Sequence, residues 1–573
     1  MTLGSRRAGS LALAFVVMMI SACGPQAVGQ SGPSSGADSS QPRTRKVLTI
    51  AVQREPTSFH TSITGSASPT AGGASNAELI VHDGLYYESE LEQYEPLIAT
   101  ELPSIERGTW RVFPDGRMET IWRIRPNVKW HDGVSFTSAD LVFAFTVAQD
   151  PDFLTRGPAR ALMESVVALD PQTIRLNWSG TWTEADHTSP GGLIPKHLLE
   201  DLFMNDKANF GNSTRFTTDF VGLGPYKLVK WEQGSHMELA RFDDYHQGRP
   251  PLDTVFVRFI GDPNTMVANV LSGAADVVLP TGVDIEQALE VKQRWEGTGN
   301  YVRADPTGRL RQLELQYRPD FARPRNGLPN VTVRQGLYHA IDRPTMVEVM
   351  AHGLAPFADS WYPPNHGLRR DLEPNIPQFP YDQARAQQLL AQAGWTRGSD
   401  GILVHQPSGE RFEVEIWANQ GQGTDKEMNI VADGWKSAGA QVVPFLIPAA
   451  RLGDREFEST HPGPLITNPS GSAFYEDRLH SSAVTTAANR WTGRNRAGYI
   501  NPRVDVILDR LYVTLDAREK ISLHRQLLQE AMVDIALMPL YWEVVPILAL
   551  KEVKGPRAVR NESTHNFFTW DKE

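Results

Sequence analysis

Three runs within two dozen residues decide the fold: Thr120-Ile121-Trp122-Arg123-Ile124-Arg125, Val128-Lys129-Trp130-His131-Asp132-Gly133-Val134 and Phe136-Thr137-Ser138-Ala139-Asp140-Leu141-Val142-Phe143. The first alternates with period two, so Trp122 and Ile124 share one face while both arginines take the other. That is a strand with one buried side. The second reads as a tight turn between extended segments, with Gly133 free to adopt positive φ. The third opens on a variant capping box, Thr137 with Asp140, and carries a helix to Ala148. Trp122, Trp130, Phe136 and Phe143 are expected in the core. Strand, turn and capped helix thus follow one another closely, the mark of a mixed α/β chain.

The same grammar recurs along the chain. Phe412-Glu413-Val414-Glu415-Ile416 alternates cleanly, and Val255-Phe256-Val257-Arg258-Phe259-Ile260, apolar on both faces except Arg258, predicts a strand buried on both sides. Asp342 with Pro344, Asp382, Asn501 with Pro502, and Asp516 with Glu519 each start a helix, and Gly353 and Gly394 sit where helices end. Gly222-Leu223-Gly224-Pro225 precedes an extended stretch rather than a helix, so it lacks what a phosphate-cradling loop requires.

At the other extreme of order stands the N-terminus. Arg6 and Arg7 precede an uncharged run, Leu11 to Ile20, too short to span a bilayer as a helix. It ends in Ile20-Ser21-Ala22-Cys23, and Cys23 is the single cysteine of 573 residues. Gly24 to Pro42 is mostly Gly, Ser, Pro, Gln and Ala with one charge, Asp38, a composition that cannot offset its ordering entropy and predicts a leash. The Ile-Ser-Ala-Cys run resembles the lipobox of bacterial lipoproteins. That resemblance implies cleavage before Cys23, lipidation of its thiol, and a body held outside the cytoplasm.

Bulk composition narrows the classes further. Lys and Arg number 56 against 67 Asp and Glu, a formal charge of −11, which argues against a nucleic-acid-binding body. No thiol remains for a disulfide, a thiolate metal site or a nucleophile. Gly32-Pro33-Ser34-Ser35-Gly36 fits a nucleophile-elbow pattern but lies in the leash, with no strand before it or helix after it. No H-E-x-x-H or Walker-type loop occurs. His82 and His131, each followed by Asp, invite a minority reading as metal ligands. No cofactor is called for, and no enzyme is expected.

Several collinear blocks together resemble the family 5 extracellular solute-binding proteins, the dipeptide and oligopeptide receptors of ABC importers. They are His82-Asp83-Gly84-Leu85-Tyr86-Tyr87 to Tyr94-Glu95-Pro96-Leu97-Ile98-Ala99; Trp122 to Phe143; Val221 to Leu228; Leu271 to Val277; Val333 to Arg343; Tyr381-Asp382 with Leu389 to Trp395; and Asn501 to Asp505 with Met538 to Tyr541. The second is the most specific, since the family reads R-x-G-V-K-W-H-D-G-x-x-F-T-A-x-D-V-x-F there. The resemblance implies an α/β, two-lobed periplasmic-binding-protein-like fold of the type II, peptide-receptor class, with an extra subdomain inserted in lobe I. Residues 1–22 are then the signal peptide and 23–45 the lipidated cysteine and linker. Lobe I is 46–86, 220–303 and 535–573, the inserted subdomain 87–219, and lobe II 304–534. It further implies a monomer on the extracytoplasmic face of the membrane, handing a peptide or other small extended solute to permease and ATPase subunits. A receptor for an oligosaccharide or metal chelate is the alternative, and a tethered hydrolase a more distant one.

Candidate solute contacts are Glu55 and Ser58 after the first strand, Trp361 and Tyr362 entering a Pro-rich loop, Trp417 and Asn419 at a strand end, and Asn468, Ser470, Ser472, Phe474 and Tyr475. Peptide-binding members hold the ligand's ammonium with an aspartate in a segment reading roughly Asp-Tyr-x-Asp-Pro-x-x-Phe. Here Asn468 precedes the proline and offers a hydrogen bond without charge, which points away from a free amine and leaves room for a blocked peptide, a sugar, or another neutral or anionic solute. Asn468→Ala and Phe474→Ala should each weaken solute binding without lowering the melting temperature of the unliganded protein; unchanged affinity in both would remove this loop from the site.

Overall fold

The computed structural model describes residues 45–64, 74–90, 93–153, 158–419, 423–467, 478–557 and 563–573. The expected signal peptide, Cys23 and nearly all of the expected linker lie outside them, as do Asn468, Ser470, Ser472, Phe474 and Tyr475.

One ten-stranded sheet organises the body. From one edge its strands run Gln441–Ile447, Glu413–Asn419, Leu465–Thr467, Tyr301–Glu314, Met538–Ala549, Val277–Val278, Val47–Val52, Thr254–Phe259, His236–Arg241 and Tyr226–Glu232. The first three are mutually parallel, and so are Val277–Val278, Val47–Val52 and Thr254–Phe259. Between these groups the two longest strands pair antiparallel, with breaks in register between Pro306 and Leu310 and between Arg311 and Gln312. The two ends of this ladder feed different cores. Leu310, Leu313, Met538 and Trp542 join a cluster with helices Val331–His339 and Thr424–Ala438, whereas Ile547 and Ala549 join one with Leu48, Ile50, Val255 and Val257. A further buried cluster draws on Trp122, Trp130, Leu141, Ile174 and Trp178 around a separate four-stranded sheet. The fold is two-lobed α/β.

Local grammar explains most elements. Trp130 donates its N–H to Val134 O at 2.8 Å, and Gly133 sits at φ 92° at the turn. Thr137 and Asp140 form the capping box that starts helix Ser138–Gln149, with the Thr137 N–H on Asp140 Oδ2 at 2.9 Å. Asp342, Asp382, Asn501 and Asp516 each cap a helix by accepting a backbone N–H. Thr254–Phe259 differs from expectation: Val255 and Val257 are buried, but Phe256 and Phe259 are half-exposed. The strand lies two places from the sheet edge, so one face is only partly covered.

The termini close against each other. Lys46 pairs with Asp571 at 2.7 Å, and Lys572 donates to both Asp276 oxygens at 2.9 Å and to Val47 O at 3.0 Å. Trp570, next to Asp571 in the chain, is fully buried.

Where the clusters meet, His60 and His82 are buried and His131 is half-buried. The Gly222–Gly224 turn presses on the helix Ala74–Val81 so closely that a Cβ on Gly222 would stand 2.0 Å from Val81 O. His131 clamps this turn: its Nδ1 accepts from the Gly222 N–H at 3.1 Å and its Nε2 contacts Gly224 O at 3.0 Å. A carbonyl only accepts, so Nε2 carries the proton and the ring is neutral. With both nitrogens committed, His131 has no lone pair for a metal, and among the described residues no group of three or more His, Cys, Asp or Glu is placed to hold one. His60 and His82 meet edge to face with ring centroids 4.5 Å apart. Burial lowers His60 and His131 to about 4, and burial together with its neighbouring histidines puts His82 well below the ordinary value.

A depressed histidine keeps its full stability above the unfolded value near 6.5 and loses it as pH falls toward 4, because only the unfolded chain takes up the proton. At pH 5 each of His60 and His131 should therefore cost roughly 2 kcal/mol. Melting curves between pH 7.5 and 5 should decline, and His82→Leu should flatten the decline; identical slopes would assign it to other groups.

Candidate functional site

In open α/β sheets, solutes settle in the crevice beyond the carboxyl ends of parallel strands. Here Glu413–Asn419, Gln441–Ile447 and Leu465–Thr467 deliver Asn419, Ile447 and Thr467 to one such edge. Beside it runs Tyr301–Glu314, which pairs with Leu465–Thr467 so that Gln312 faces Thr467 across the ladder.

Charge is concentrated along this central ladder. Glu427, in the first turn of helix Thr424–Ala438, is 2 % exposed and pairs with Arg311, whose Nε reaches its Oε1 at 2.8 Å and whose Nη2 meets Oε2. The Tyr541 hydroxyl donates to the same Oε1. Glu543 then joins Arg311 at 3.7 Å and Arg309 at 3.1 Å. Burial opposes the charge on Arg311, but Glu427, Tyr541 and Glu543 more than offset it and raise its pKa above the ordinary value. Burial, and next the Glu427 carboxylate, raise Tyr541 well above the usual phenol, so it remains a donor.

Two contacts span the groups of core clusters. Glu286, on helix Ile285–Arg294, receives Lys426 and, at 3.8 Å, His352, while Tyr512 O accepts the Thr183 N–H at 3.2 Å and its ring lies 5.6 Å from that of Trp182. The Lys426 hydrogen bond pulls Glu286 below the usual carboxylate range. The Lys426–Glu286 pair is about half exposed, so separating it costs little, whereas Trp182 is buried against Tyr512.

The sequence-predicted residues divide by place. Glu55 is a brace, one oxygen on Trp231 Nε1 at 2.6 Å and the other on the Gly234 N–H at 2.8 Å. Ser58 is buried against Thr64 Oγ1 at 2.7 Å. Trp361 and Tyr362 are fully buried in the largest core cluster, where the Tyr362 hydroxyl bonds His524 Nδ1 at 2.8 Å, and neither is open to a solute in this structure. A bulky pair before prolines anchors a loop as readily as it lines a groove, and here it anchors. Trp417 packs between Phe445 and Phe457, with ring centroids 4.4 and 4.8 Å away, and donates to Glu415. Of the described members of this set, Asn419 alone is exposed at the strand edge.

Sequence reasoning missed Arg311, Glu427, Gln312, Glu314 and Arg478. Thr467 and Arg478 bracket residues 468–477, and both are tied to the same strand: Gln312 Nε2 reaches Thr467 Oγ1 at 3.5 Å, and Arg478 Nη1 reaches Glu314 Oε1 at 3.3 Å. The available signal was Gln312-Leu313-Glu314-Leu315-Gln316, a clean alternation whose polar face is ordinarily taken to be solvated.

Comparison with known proteins converges. The sequence model for bacterial extracellular solute-binding proteins, family 5 (middle) matches residues 94–484. The oligopeptide-binding protein AppA of Bacillus subtilis (strain 168) is 25% identical over 476 residues, covering 80% of this chain and 81% of that protein. NikZ from Campylobacter jejuni, solved with Ni(L-His), superposes with TM-score 0.73 at 22% identity over 92% of this chain and 99% of its own. An oligopeptide-binding protein from Thermus thermophilus, solved with a pentapeptide, gives TM-score 0.76 at 21% identity over 92% and 96%.

Removing one partner of a buried ion pair strands the other. Arg311→Met should lower the stability to urea by about 3–5 kcal/mol, and adding Glu427→Leu should recover most of that loss. A double variant no more stable than the single would show that the pair does not act as a unit.

Proposed function

We propose, from the premise that this chain belongs to the bacterial extracellular solute-binding proteins, family 5, that it is a lipid-anchored receptor delivering a peptide to an ABC importer. Members of this family are binding components of ABC importers rather than enzymes. The finer reading adds the anchor at Cys23, a monomeric body on the extracytoplasmic face, and an extended peptide as cargo. The relatives named for oligopeptides support the choice of cargo.

The observation that carries the reading is the pairing of Tyr301–Glu314 with Met538–Ala549. In this proposal residues 46–86, 220–303 and 535–573 form one jaw carrying the subdomain 87–219, and 304–534 forms the other. The chain passes between the jaws along these two strands, and the register break beside Pro306 absorbs the bending. Among the described residues, the cross-jaw contacts include the partly solvated ion pair at Glu286, which opens cheaply, and the packing of Trp182 on Tyr512. A solute touching both jaws binds only the closed form, and its differential affinity shifts the balance toward closure. The closed shape is what permease subunits would read. Two or more acyl chains on Cys23 would hold the receptor stably at the membrane, and the leash would keep its local concentration high.

Native mass spectrometry of the protein purified from its own host should show a co-purifying peptide mass, and small-angle scattering should show a smaller radius of gyration when that mass is present. A nickel–histidine adduct instead would favour a chelate receptor, the ligand of NikZ. Cys23→Ala should move the protein from the membrane fraction to the soluble one; unchanged fractionation would dispose of the anchor.

A further inference from the structure

Tyr512 packs on two cores at once. It lies against the largest cluster, which includes Leu313, Leu337 and Trp435, and against the cluster around Trp122, Trp130 and Trp178. Leu515, three residues further on, packs against the second of these as well. In the two-jaw reading above, Tyr512 and Leu515 stand on the jaw 304–534, and the second cluster fills the subdomain 87–219 of the other.

Each side of the contact is tied down within its own jaw. Helix Pro502–Val513 is seated by Val504, Ile507, Leu508 and Leu511, all buried, and Ser481 donates its N–H and hydroxyl to Asp505 at 2.8 and 2.6 Å. Opposite, Trp182 is 6 % exposed and donates from Nε1 to Thr188 Oγ1 at 3.0 Å, while Thr181 Oγ1 donates to Gly116 O at 3.0 Å. Two braced pads therefore meet, and they part or join as units. Tyr512 belongs to the last turn of its helix, where carbonyls lack partners within the helix. Thr514 Oγ1 takes up Arg510 O at 2.7 Å, and Tyr512 O accepts the Thr183 N–H from the opposite jaw at 3.2 Å. A helix end is thus capped across the gap. Parting the jaws returns that hydrogen bond to water at little net cost, but it also uncovers two rings whose centroids lie 5.6 Å apart. Such a pair is worth more than the area it hides. The Lys426–Glu286 pair is about half exposed and adds little.

Granted the two-jaw, solute-capturing reading, we propose that Tyr512 and Leu515 clasp Trp182 and hold the receptor closed in the absence of cargo. Closure then belongs to the resting state, and cargo has less of it to drive. Apparent affinity is the intrinsic affinity of the closed form scaled by the fraction of molecules in that form. The clasp raises affinity for whatever solute the cleft takes, without touching it. Cargo enters through the minor open form, so the same contact slows both capture and release.

The test reads jaw separation in the full-length chain carrying Cys23→Ala, with spin labels attached at Met204→Cys and Val506→Cys. Both positions are well exposed and lie on opposite jaws of the proposal. With cargo stripped by unfolding and refolding, pulsed electron paramagnetic resonance should show a distribution dominated by the shorter of two distances. Tyr512→Ala should lower the ratio of short to long about tenfold, the weight of one aromatic contact and the surface it hides. Tyr512→Phe, which keeps the ring, should leave the ratio at the wild-type value. Leu515→Ala, at a half-buried position, should lower it several-fold and carries the test alone if Tyr512→Ala does not fold. A wild type dominated by the long distance without cargo overturns the clasp and leaves hinged jaws standing. So do two distances whose ratio neither alanine variant moves. A single distance shared by every variant overturns the clasp together with the moving jaws.

Discussion

The antiparallel ladder between Tyr301–Glu314 and Met538–Ala549 is the constraint on which the rest depends. A hydrogen-bonded ribbon bends and twists but does not stretch, so two cores attached to its ends can change their angle without separating. Its register breaks where Pro306 gives way to Leu310, and a dense knot of buried charge, Arg311 with Glu427, Tyr541 and Glu543, lies just beyond. Such a cluster is a poor source of net stability, since desolvating its members costs about what their attraction returns. What it supplies is position. Arg311 can satisfy Glu427 only with the helix Thr424–Ala438 seated on the ribbon in one orientation, and that seating fixes the carboxyl edges of the neighbouring parallel strands.

Much of the fold was legible because its elements are punctuated locally. Trp130 to Gly133 turns, Thr137 with Asp140 caps, and Asp342, Asp382, Asn501 and Asp516 start helices, since each of these devices is complete within a few residues. Val255–Phe259 reads as buried on both faces and is not, because cover for its second face depends on how near the sheet edge it falls. Edge distance is a property of topology, and no local pattern carries it.

The site was far less legible, for the same reason. Asn419 could be placed at a strand's end from alternation and length. Glu314 could not be recognised as buried, since its polar face is covered by segments 145 and more residues away, around Ser459, His461 and Arg478. Trp361 and Tyr362 show the converse error: aromatic residues beside prolines suit a groove wall and a core anchor equally, and only packing decides. Local devices are written in neighbouring residues, whereas a binding surface is written in residues that meet only after folding.

The knot of Lys46 with Asp571 and Lys572 with Asp276 and Val47 bears on how the protein is made. The first strand has as its sheet neighbours segments that start at Thr254 and Val277, and the latter is in turn flanked by a strand beginning at Met538. The first strand's part of the sheet therefore lacks its closing pieces until the chain beyond Met538 has been made, and such long-range pairings form slowly. Synthesis thus divides the fold in time: the four-stranded sheet between Trp110 and Trp178 needs only its own stretch of chain, whereas the ten-stranded sheet waits for the last of its strands.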